Sequence, residues 1–177
     1  GGPVKNVLIV VDVQNDFVND SLGTKEAEAI IPYVCKLIDD PSFDTIVITK
    51  DTHGADYLTT REGKYLPVNH CIKGSDGWQI HPEVAEHLQQ RRDICTMIEK
   101  PTFGSEDLTA LMKKEKPERI VLCGLCTDIC VISNALAIKA ALYETDIAVV
   151  EKACAGVTQQ KHACAIEVMR SCQIDIL

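Results

Sequence analysis

The stretch Val7-Leu8-Ile9-Val10-Val11, followed at once by Asp12, decides the fold prediction for this chain. A continuous apolar run without alternating polar residues is typical of a strand that is buried on both faces, as in the centre of a parallel sheet. We predict this strand over residues 4–11. The run is far shorter than the roughly 18 apolar residues that span a bilayer, so we expect no membrane insertion.

Similar apolar runs recur along the chain and alternate with helical periodicity. Further strands are predicted over residues 44–50, 93–99, 119–124, 146–150 and 174–177, and helices over 24–39, 82–90, 105–114, 127–143 and 158–171. Strands that alternate with helices predict crossover connections and a parallel sheet. The expected fold is therefore α/β, a three-layer α/β/α, Rossmann-like six-stranded parallel sheet with helices on both faces.

Three segments carry more specific expectations. Pro32 lies inside the first helical stretch, so that helix should either start late or kink there. The helix over 127–143 is nearly all apolar and should be buried on most sides. Residues 51–80 show no clear period, and a loop of that length in a compact domain is usually functional.

Composition narrows the classes of function. The chain has 177 residues and a formal net charge of −8, which favours a single domain over 1–177 and argues against binding to nucleic acid or an anionic membrane. Its 9 cysteines follow no recognisable export signal, which favours reduced thiols in the cytoplasm over a disulfide framework. We expect Gly1-Gly2-Pro3 to be the remnant of a tag.

Reactive side chains follow several of the predicted strands. Asp12 follows the first strand, Lys100 the third, and Cys130 lies in the first turn of the helix after the fourth. Because functional groups in such sheets gather beyond the carboxyl ends of the strands, these three should converge. A helix N-terminus and a nearby lysine favour a thiolate, and a carboxylate can take the thiol proton and return it to a leaving amine. Taken alone, Cys130 is better explained as a small buried apolar residue and Lys100 as a solvated charge, and it is their position at neighbouring strand ends with Asp12 that favours catalysis.

A second group lies in the long loop. Asp51, His53 and His70 supply one oxygen and two imidazole ligands, a set that suits Zn²⁺, Fe²⁺ or Mn²⁺ and leaves positions open for water and substrate. Glu62 is a further candidate ligand. The alternative is that these are surface or hydrogen-bonding histidines. The remaining histidines are interpreted as structural or solvated: His81, His87 and His162.

Other motifs give weaker evidence for a function or argue against one. The cluster Cys123, Cys126 and Cys130 could suggest a metal or iron–sulfur site, but its members span a buried strand and a turn and need not face one centre. No Gly-x-Gly-x-x-Gly follows the first strand and no Gly-x-Ser-x-Gly is present, which argues against a dinucleotide cofactor and a serine hydrolase.

Taken together and in order, the motifs resemble those of the isochorismatase-like cysteine hydrolases, and among them the nicotinamidase (pyrazinamidase/nicotinamidase) branch. The resemblance runs over residues 4–176. The motifs that carry it are residues 8–17 (LIVVDVQNDF), 50–53 (KDTH), 66–71 (LPVNHC), 77–82 (GWQIHP), 99–105 (EKPTFGS) and 124–131 (GLCTDICV).

The resemblance implies roles for particular residues. It implies a catalytic triad of Asp12, Lys100 and Cys130, and an oxyanion hole formed by the backbone N–H groups of Cys126 and Cys130. It also implies a cis peptide bond between Leu125 and Cys126. Phe17 would stack on the substrate ring. The implied metal ligands are Asp51, His53 and His70, which makes 51–80 a metal- and substrate-binding loop.

The activity implied by the resemblance is hydrolysis of nicotinamide to nicotinate and ammonia through a cysteine thioester. One divalent metal ion, zinc before iron or manganese, would face the pyridine nitrogen. A cytoplasmic homo-oligomer with a role in NAD salvage is expected. Two alternatives stay open: a related hydrolase that acts on another small amide or ureido compound, and a non-enzymatic redox or metal module built on the cysteines.

Overall fold

The computed structural model describes residues 4–177 and contains one six-stranded sheet. The strands are β1 Asn6–Val11, β2 Thr45–Asp51, β3 Cys95–Lys100, β4 Arg119–Leu125, β5 Asp146–Ala155 and β6 Asp175–Ile176. They are all parallel and lie in the order β3-β2-β1-β4-β5-β6, so β1 pairs with both β2 and β4 at the centre. The predicted six-stranded parallel sheet is confirmed.

Helices cover both faces of this sheet. They are α1 Asn15–Val18, α2 Lys25–Ala29, α3 Ile31–Asp39, α4 Arg61–Tyr65, α5 Pro82–Gln90, α6 Glu106–Glu115, α7 Ile132–Ala141 and α8 Gln159–Ser171. Leu8 and Val10 of β1 belong to one apolar core and Val7, Ile9 and Val11 to another. Because successive strand side chains point to opposite faces, the continuous apolar run of β1 supplies both cores and produces three layers. None of the helices described for residues 4–177 is both long and apolar enough to cross a membrane.

The predicted helix over 24–39 is two helices. Thr24 caps α2, since its hydroxyl accepts a hydrogen bond from the Ala27 N–H at 3.0 Å, and the chain turns at Ile30 before α3 begins. Pro32 lies in the first turn of α3, where its missing N–H leaves no helical bond unmade. Of the two expectations for this proline, the late start is the one that holds for α3.

Two other predictions need correction. The helix expected over 127–143 starts with one π-helical turn, Thr127–Val131, and α7 then ends at Ala141. The expectation that it is buried on most sides holds only in part: α7 fully buries Asn134, Ala135 and Ile138, most of its other residues are half-buried, and Ala137 and Ala140 are exposed. Its apolar composition comes largely from small alanines, which leave little apolar area in contact with water.

The loop over 51–80 is held by short elements and bridges. It contains the 3₁₀ turns Tyr57–Thr59 and Asp76–Trp78 in addition to α4. Isolated bridges pair Gln14 with Ile80 and His53 with Ile72, which returns the loop to the carboxyl end of the sheet.

Candidate active site

The carboxyl ends of β1 and β3 bring together a buried ion pair. The Nζ of Lys100 lies 2.6 Å from Oδ2 of Asp12, and the two residues are 1% and 0% exposed. Thr49 on β2 donates its hydroxyl to Oδ1 of Asp12 at 2.7 Å, and Lys100 also donates to the carbonyl oxygen of Thr102 at 2.9 Å. Both charged groups are therefore oriented by β2 and by the segment after β3, and not by solvent.

Asp12 occupies an unusual backbone conformation, with φ at +51°. Its N–H still reaches the carbonyl oxygen of Thr49 at 3.1 Å. An aspartate tolerates the left-handed region better than a β-branched residue would, and the turn aims its carboxylate across the end of the sheet.

Cys130 reaches the same place from β4. The chain passes through a cis peptide bond between Leu125 and Cys126, as predicted, and enters the turn Thr127–Val131. The carbonyl of Cys126 accepts hydrogen bonds from the N–H groups of Ile129 at 3.0 Å and Val131 at 3.1 Å. This pattern bypasses the N–H of Cys130, which a regular α-helix would join to that carbonyl.

Burial sets the charge states of these groups. Burial and the Asp12 carboxylate raise the pKa of the Cys130 thiol well above its usual value, although Lys100 acts in the opposite direction. Burial also raises the pKa of Asp12, against the lowering effect of Lys100. For Lys100, burial lowers the pKa, but the charges of Asp12, Cys130 and Asp51 outweigh it and leave the pKa raised. The resting sulfur is therefore a thiol beside a carboxylate, and not the stable thiolate that the helix position alone suggested.

A second cluster lies beside this pair. Nε2 of His53 is 2.9 Å from Oδ2 of Asp51, and Nε2 of His70 is 3.4 Å from the same oxygen. Oε2 of Glu62 on α4 lies 3.4 Å from Nε2 of His53 and 3.5 Å from Nε2 of His70. The four possible ligand atoms all lie within 4.8 Å of one another, so the structure brings all four predicted residues together.

The donor set fits a divalent cation. Both imidazoles turn Nε2 toward carboxylates, and Nδ1 of His70 lies 2.8 Å from the carbonyl oxygen of Val68, an outer contact typical of a metal-bound histidine. Oδ1 of Asp51 is buried without a hydrogen-bond partner and is 3.8 Å from Nζ of Lys100. Burial raises the pKa of Asp51, but its contacts to the two histidines prevail and hold that pKa at about 2. Two carboxylates and two imidazoles that face one point can bind a metal ion, which would displace protons from the imidazoles.

The metal-ligand cluster is anchored by residues that sequence patterns did not single out. Gln14 donates from Nε2 to the carbonyl of Asp51 at 2.8 Å and accepts the Asp51 N–H at 2.8 Å. Asp16, which is 7% exposed, accepts the N–H of Cys71 at 2.7 Å, next to His70. Both residues belong to the motif after β1. The sequence signal for them was a side-chain amide and a second carboxylate directly after a buried strand.

Asn134 is a further residue that sequence reasoning missed. It is buried in α7, donates from Nδ2 to the carbonyl of Cys130 at 2.7 Å and to that of Phe103 at 3.1 Å, and accepts the N–H of Ser105 at 2.8 Å. It thus ties the segment after Lys100 to the segment that carries Cys130. The sequence signal for Asn134 was a side-chain amide inside a mostly apolar helix.

A cavity of about 340 Å³ joins the two clusters. Its wall includes Cys130 and Cys126 on one side and Asp51, Glu62 and His70 on another. Phe17 also lines it, with its ring centroid 5.5 Å from that of His70. The rest of the lining is Leu22, Thr24, Ala27, Tyr65, Leu66, Phe103, Leu125, Ile129, Gly156, Val157 and Lys161. An apolar pocket with a few convergent polar groups is the usual form of a small-molecule site.

The other histidines and Cys123 lie elsewhere. His87 pairs with Asp39 at the surface at 2.8 Å, and His81 accepts the N–H of Glu83 at the start of α5. Cys123 belongs to the opposite core from Cys130, so the two thiols lie on different faces of the sheet. Nδ1 of His162 lies 2.6 Å from Oγ1 of Thr127.

The family model of the isochorismatase domain matches residues 6–177 of this chain. Among characterised proteins, the nicotinamidase of Acinetobacter baylyi is 29% identical over 156 residues, covering 73% of this chain and 72% of that protein. The nicotinamidase of Schizosaccharomyces pombe is 26% identical over 205 residues, covering 96% of this chain and 91% of that protein.

Solved structures are similar over nearly the whole chain. The pyrazinamidase/nicotinamidase of Streptococcus mutans has a TM-score of 0.86 at 25% identity and covers 98% of this chain and 100% of that one. The pyrazinamidase of Pyrococcus horikoshii in complex with zinc has a TM-score of 0.82 at 25% identity and covers 98% of each chain.

Proposed function

The chain belongs to the isochorismatase family, and we propose that within it the protein is a cysteine amidohydrolase that converts nicotinamide to nicotinate and ammonia. One observation carries the proposal: Cys130, which lies beside the Asp12–Lys100 pair, lines one apolar cavity together with Asp51, Glu62 and His70 of the metal-ligand cluster. An aromatic carboxamide needs a nucleophile with a proton acceptor at one end and a polar partner for its ring nitrogen at the other.

The first half of the reaction forms a thioester. The sulfur of Cys130 attacks the carboxamide carbon while its proton passes to Asp12, which suits a thiol that rests protonated beside a carboxylate. The backbone N–H groups of Cys126 and Cys130 hold the resulting oxyanion. The C–N bond then breaks as Asp12 returns the proton to the nitrogen, and ammonia leaves.

The second half regenerates the thiol. Asp12 takes a proton from water, the water oxygen attacks the thioester carbon, and the C–S bond breaks to release nicotinic acid. Asp12 returns the proton to sulfur, so the enzyme ends as it began. Lys100, whose pKa is raised, stays cationic throughout, orients Asp12 and offsets negative charge on the sulfur.

The second cluster holds the other end of the substrate. Asp51, His53, His70 and Glu62 would hold one divalent ion, with zinc our first choice, and that ion would supply a Lewis-acidic position for the ring nitrogen or a water molecule. Phe17 offers an aromatic face beside His70 for the ring. A cytoplasmic homo-oligomer with a role in NAD salvage remains a prediction from the resemblance.

The test is ammonia release from nicotinamide by the purified protein, with metal content recorded. Cys130→Ala should abolish turnover, whereas Cys164→Ala, which removes an exposed free thiol on α8, should leave it intact. Wild-type protein that holds metal but acts only on a carbamoyl, ureido or other small amide would move the assignment to that substrate. Equal activity of wild type and Cys130→Ala would overturn the nucleophile, and cysteine redox chemistry without hydrolysis would select the non-enzymatic alternative.

A further inference from the structure

We propose that His162 on α8 is a positioning residue, which acts through Thr127 to hold Cys130 and the oxyanion-binding N–H groups in their reactive geometry. The inference rests on the proposed function, because it assigns a role in the same amide hydrolysis. His162 itself does not line the cavity described above. Its effect must therefore pass through the turn Thr127–Val131.

The contact between α8 and the turn is short and partly buried. Nδ1 of His162 lies 2.6 Å from Oγ1 of Thr127, and Thr127 is 0% exposed. Thr127 is the first residue of the π-helical turn, between the cis peptide bond and Cys130. A buried hydroxyl needs a hydrogen-bond partner. Removal of the imidazole would therefore leave the Thr127 hydroxyl unsatisfied, which costs free energy, and would also leave a space beside the turn.

A second connection runs parallel to the first. Oδ1 of Asp128, the next residue of the turn, accepts the N–H of Val157 at 2.9 Å. Gly156 lies against this contact, since a Cβ placed there would be 2.7 Å from the N–H nitrogen of His162 and 2.9 Å from Oδ1 of Asp128. The loop after β5 and the start of α8 are thus fitted closely to the turn.

The turn lacks a side-chain cap of its own. The side chain of Cys126, at its N-cap, makes no capping hydrogen bond, and the turn departs from the α-helical pattern that α7 adopts directly afterwards. π-Helical turns are uncommon and persist where surrounding structure holds them. His162 and Val157 supply such contacts from outside, in addition to Asn134 on the far side of Cys130.

This arrangement predicts an effect on the transition state more than on binding. The proposed contacts of the substrate ring and its nitrogen are Phe17 and the metal-ligand cluster, whereas the side-chain contact of His162 is to Thr127. The oxyanion forms only during attack by Cys130, and a misplacement of about 1 Å at such a site lowers rates by about 100-fold. Loss of the Thr127 contact should therefore lower kcat by about 10- to 100-fold and leave KM within about twofold.

The first experiment compares His162→Ala with His162→Asn, because an Asn side chain places its amide where Nδ1 lies in histidine. His162→Asn should recover most of the lost kcat. Thr127→Val removes the hydroxyl and keeps the shape, and its effect should not add to that of His162→Ala, because both break one contact. His87→Ala, which removes a surface histidine paired with Asp39, is the matched control and should keep wild-type kcat.

A second readout isolates the oxyanion. Pyridine-3-carboxaldehyde can accept the sulfur of Cys130 at its carbonyl carbon: the S–C bond forms, the thiol proton goes to Asp12, and the former carbonyl oxygen becomes an oxyanion. Its inhibition constant should rise in His162→Ala by about the factor by which kcat falls. The inhibition constant of nicotinate, which forms no such bond, should stay unchanged.

A third readout needs no turnover. Amide hydrogen exchange in a peptide that spans residues 126–131 should quicken in His162→Ala, with exchange in β1 unchanged. Wild type that releases no ammonia from nicotinamide would refute the proposed function, and this measurement would still test the inference. Unchanged exchange at 126–131, or a purely KM effect in an active enzyme, or equal losses in His162→Ala and His87→Ala, would overturn it.

Discussion

Replacing Lys100 by methionine removes one partner of the buried pair and leaves the stem volume nearly unchanged. The pair has side-chain exposures of 0% on both sides, and its Nζ–Oδ2 distance is 2.6 Å. Breaking a buried pair by removing one partner costs about 3–5 kcal/mol, because the other charge stays buried without compensation. At about 2–4 °C per kcal/mol for a chain of this size, the melting temperature should fall by roughly 6–20 °C.

The matched control is Lys73→Met. Nζ of Lys73 lies 3.1 Å from Oε2 of Glu99, but the two side chains are 63% and 41% exposed. An exposed pair of this kind contributes about 0–1 kcal/mol, so this variant should melt within about 4 °C of wild type. Both variants remove the lysine charge of one ion pair, and the pair at Lys73 is exposed whereas the pair at Lys100 is buried.

The pH dependence of folding stability provides a second test of the Lys100→Met prediction. Burial raises the pKa of Asp12 in the folded protein above its unfolded value of 3.8, and Lys100 is the main group that opposes this rise. Without Lys100 the pKa of Asp12 should rise further, so the folded variant binds a proton that the unfolded chain releases. Its stability relative to wild type should then increase as pH falls toward the unfolded pKa and decrease as pH rises.

The assay is thermal and urea unfolding of wild type, Lys100→Met and Lys73→Met between pH 5 and pH 8, with metal content held equal. A Lys100→Met variant that loses no more stability than Lys73→Met would refute the burial cost. A difference between Lys100→Met and wild type that does not depend on pH would show that Asp12 is not the charge left behind.

Two further predictions concern other parts of the site. Glu62→Gln should keep the Asp51, His53 and His70 ligands and weaken zinc binding by about 10- to 100-fold in a competitive chelator titration; unchanged affinity would exclude Glu62 as a ligand. Gly124→Ala should lower the free energy of unfolding, measured in urea melts, by at least about 1–3 kcal/mol. Gly124 has φ +121°, and an added Cβ would collide with the carbonyl oxygen of Val11. A neutral Gly124→Ala variant would show that the β1–β4 contact relaxes there.

Several features of the fold and site could be predicted from the sequence because they depend on local order along the chain. The apolar run 7–11 and its counterparts are too short for buried helices and alternate with helical periods, so they specify buried parallel strands. Once β1, β3 and β4 are parallel, Asp12, Lys100 and the turn before Cys130 must lie at one edge of the sheet. The number of strands, their direction and the edge that carries the site were all determined at this level.

Tertiary structure alone decided which side chains meet. The loop over 51–80 has no period, so only its folded path shows that Glu62 reaches Asp51, His53 and His70. The charge state of Cys130 depends on burial, which opposes the helix-terminus effect expected from sequence position.

Contacts between distant helices follow the same rule. The 2.6 Å contact of His162 with Thr127 joins residues 35 positions apart, and Asn134 links Cys130 to the segment after Lys100. Such contacts depend on the packing of helices against one sheet face. Local periodicity assigns a helical residue to a face, but the neighbour that it touches is set by the crossing of two elements whose sequences carry no common pattern.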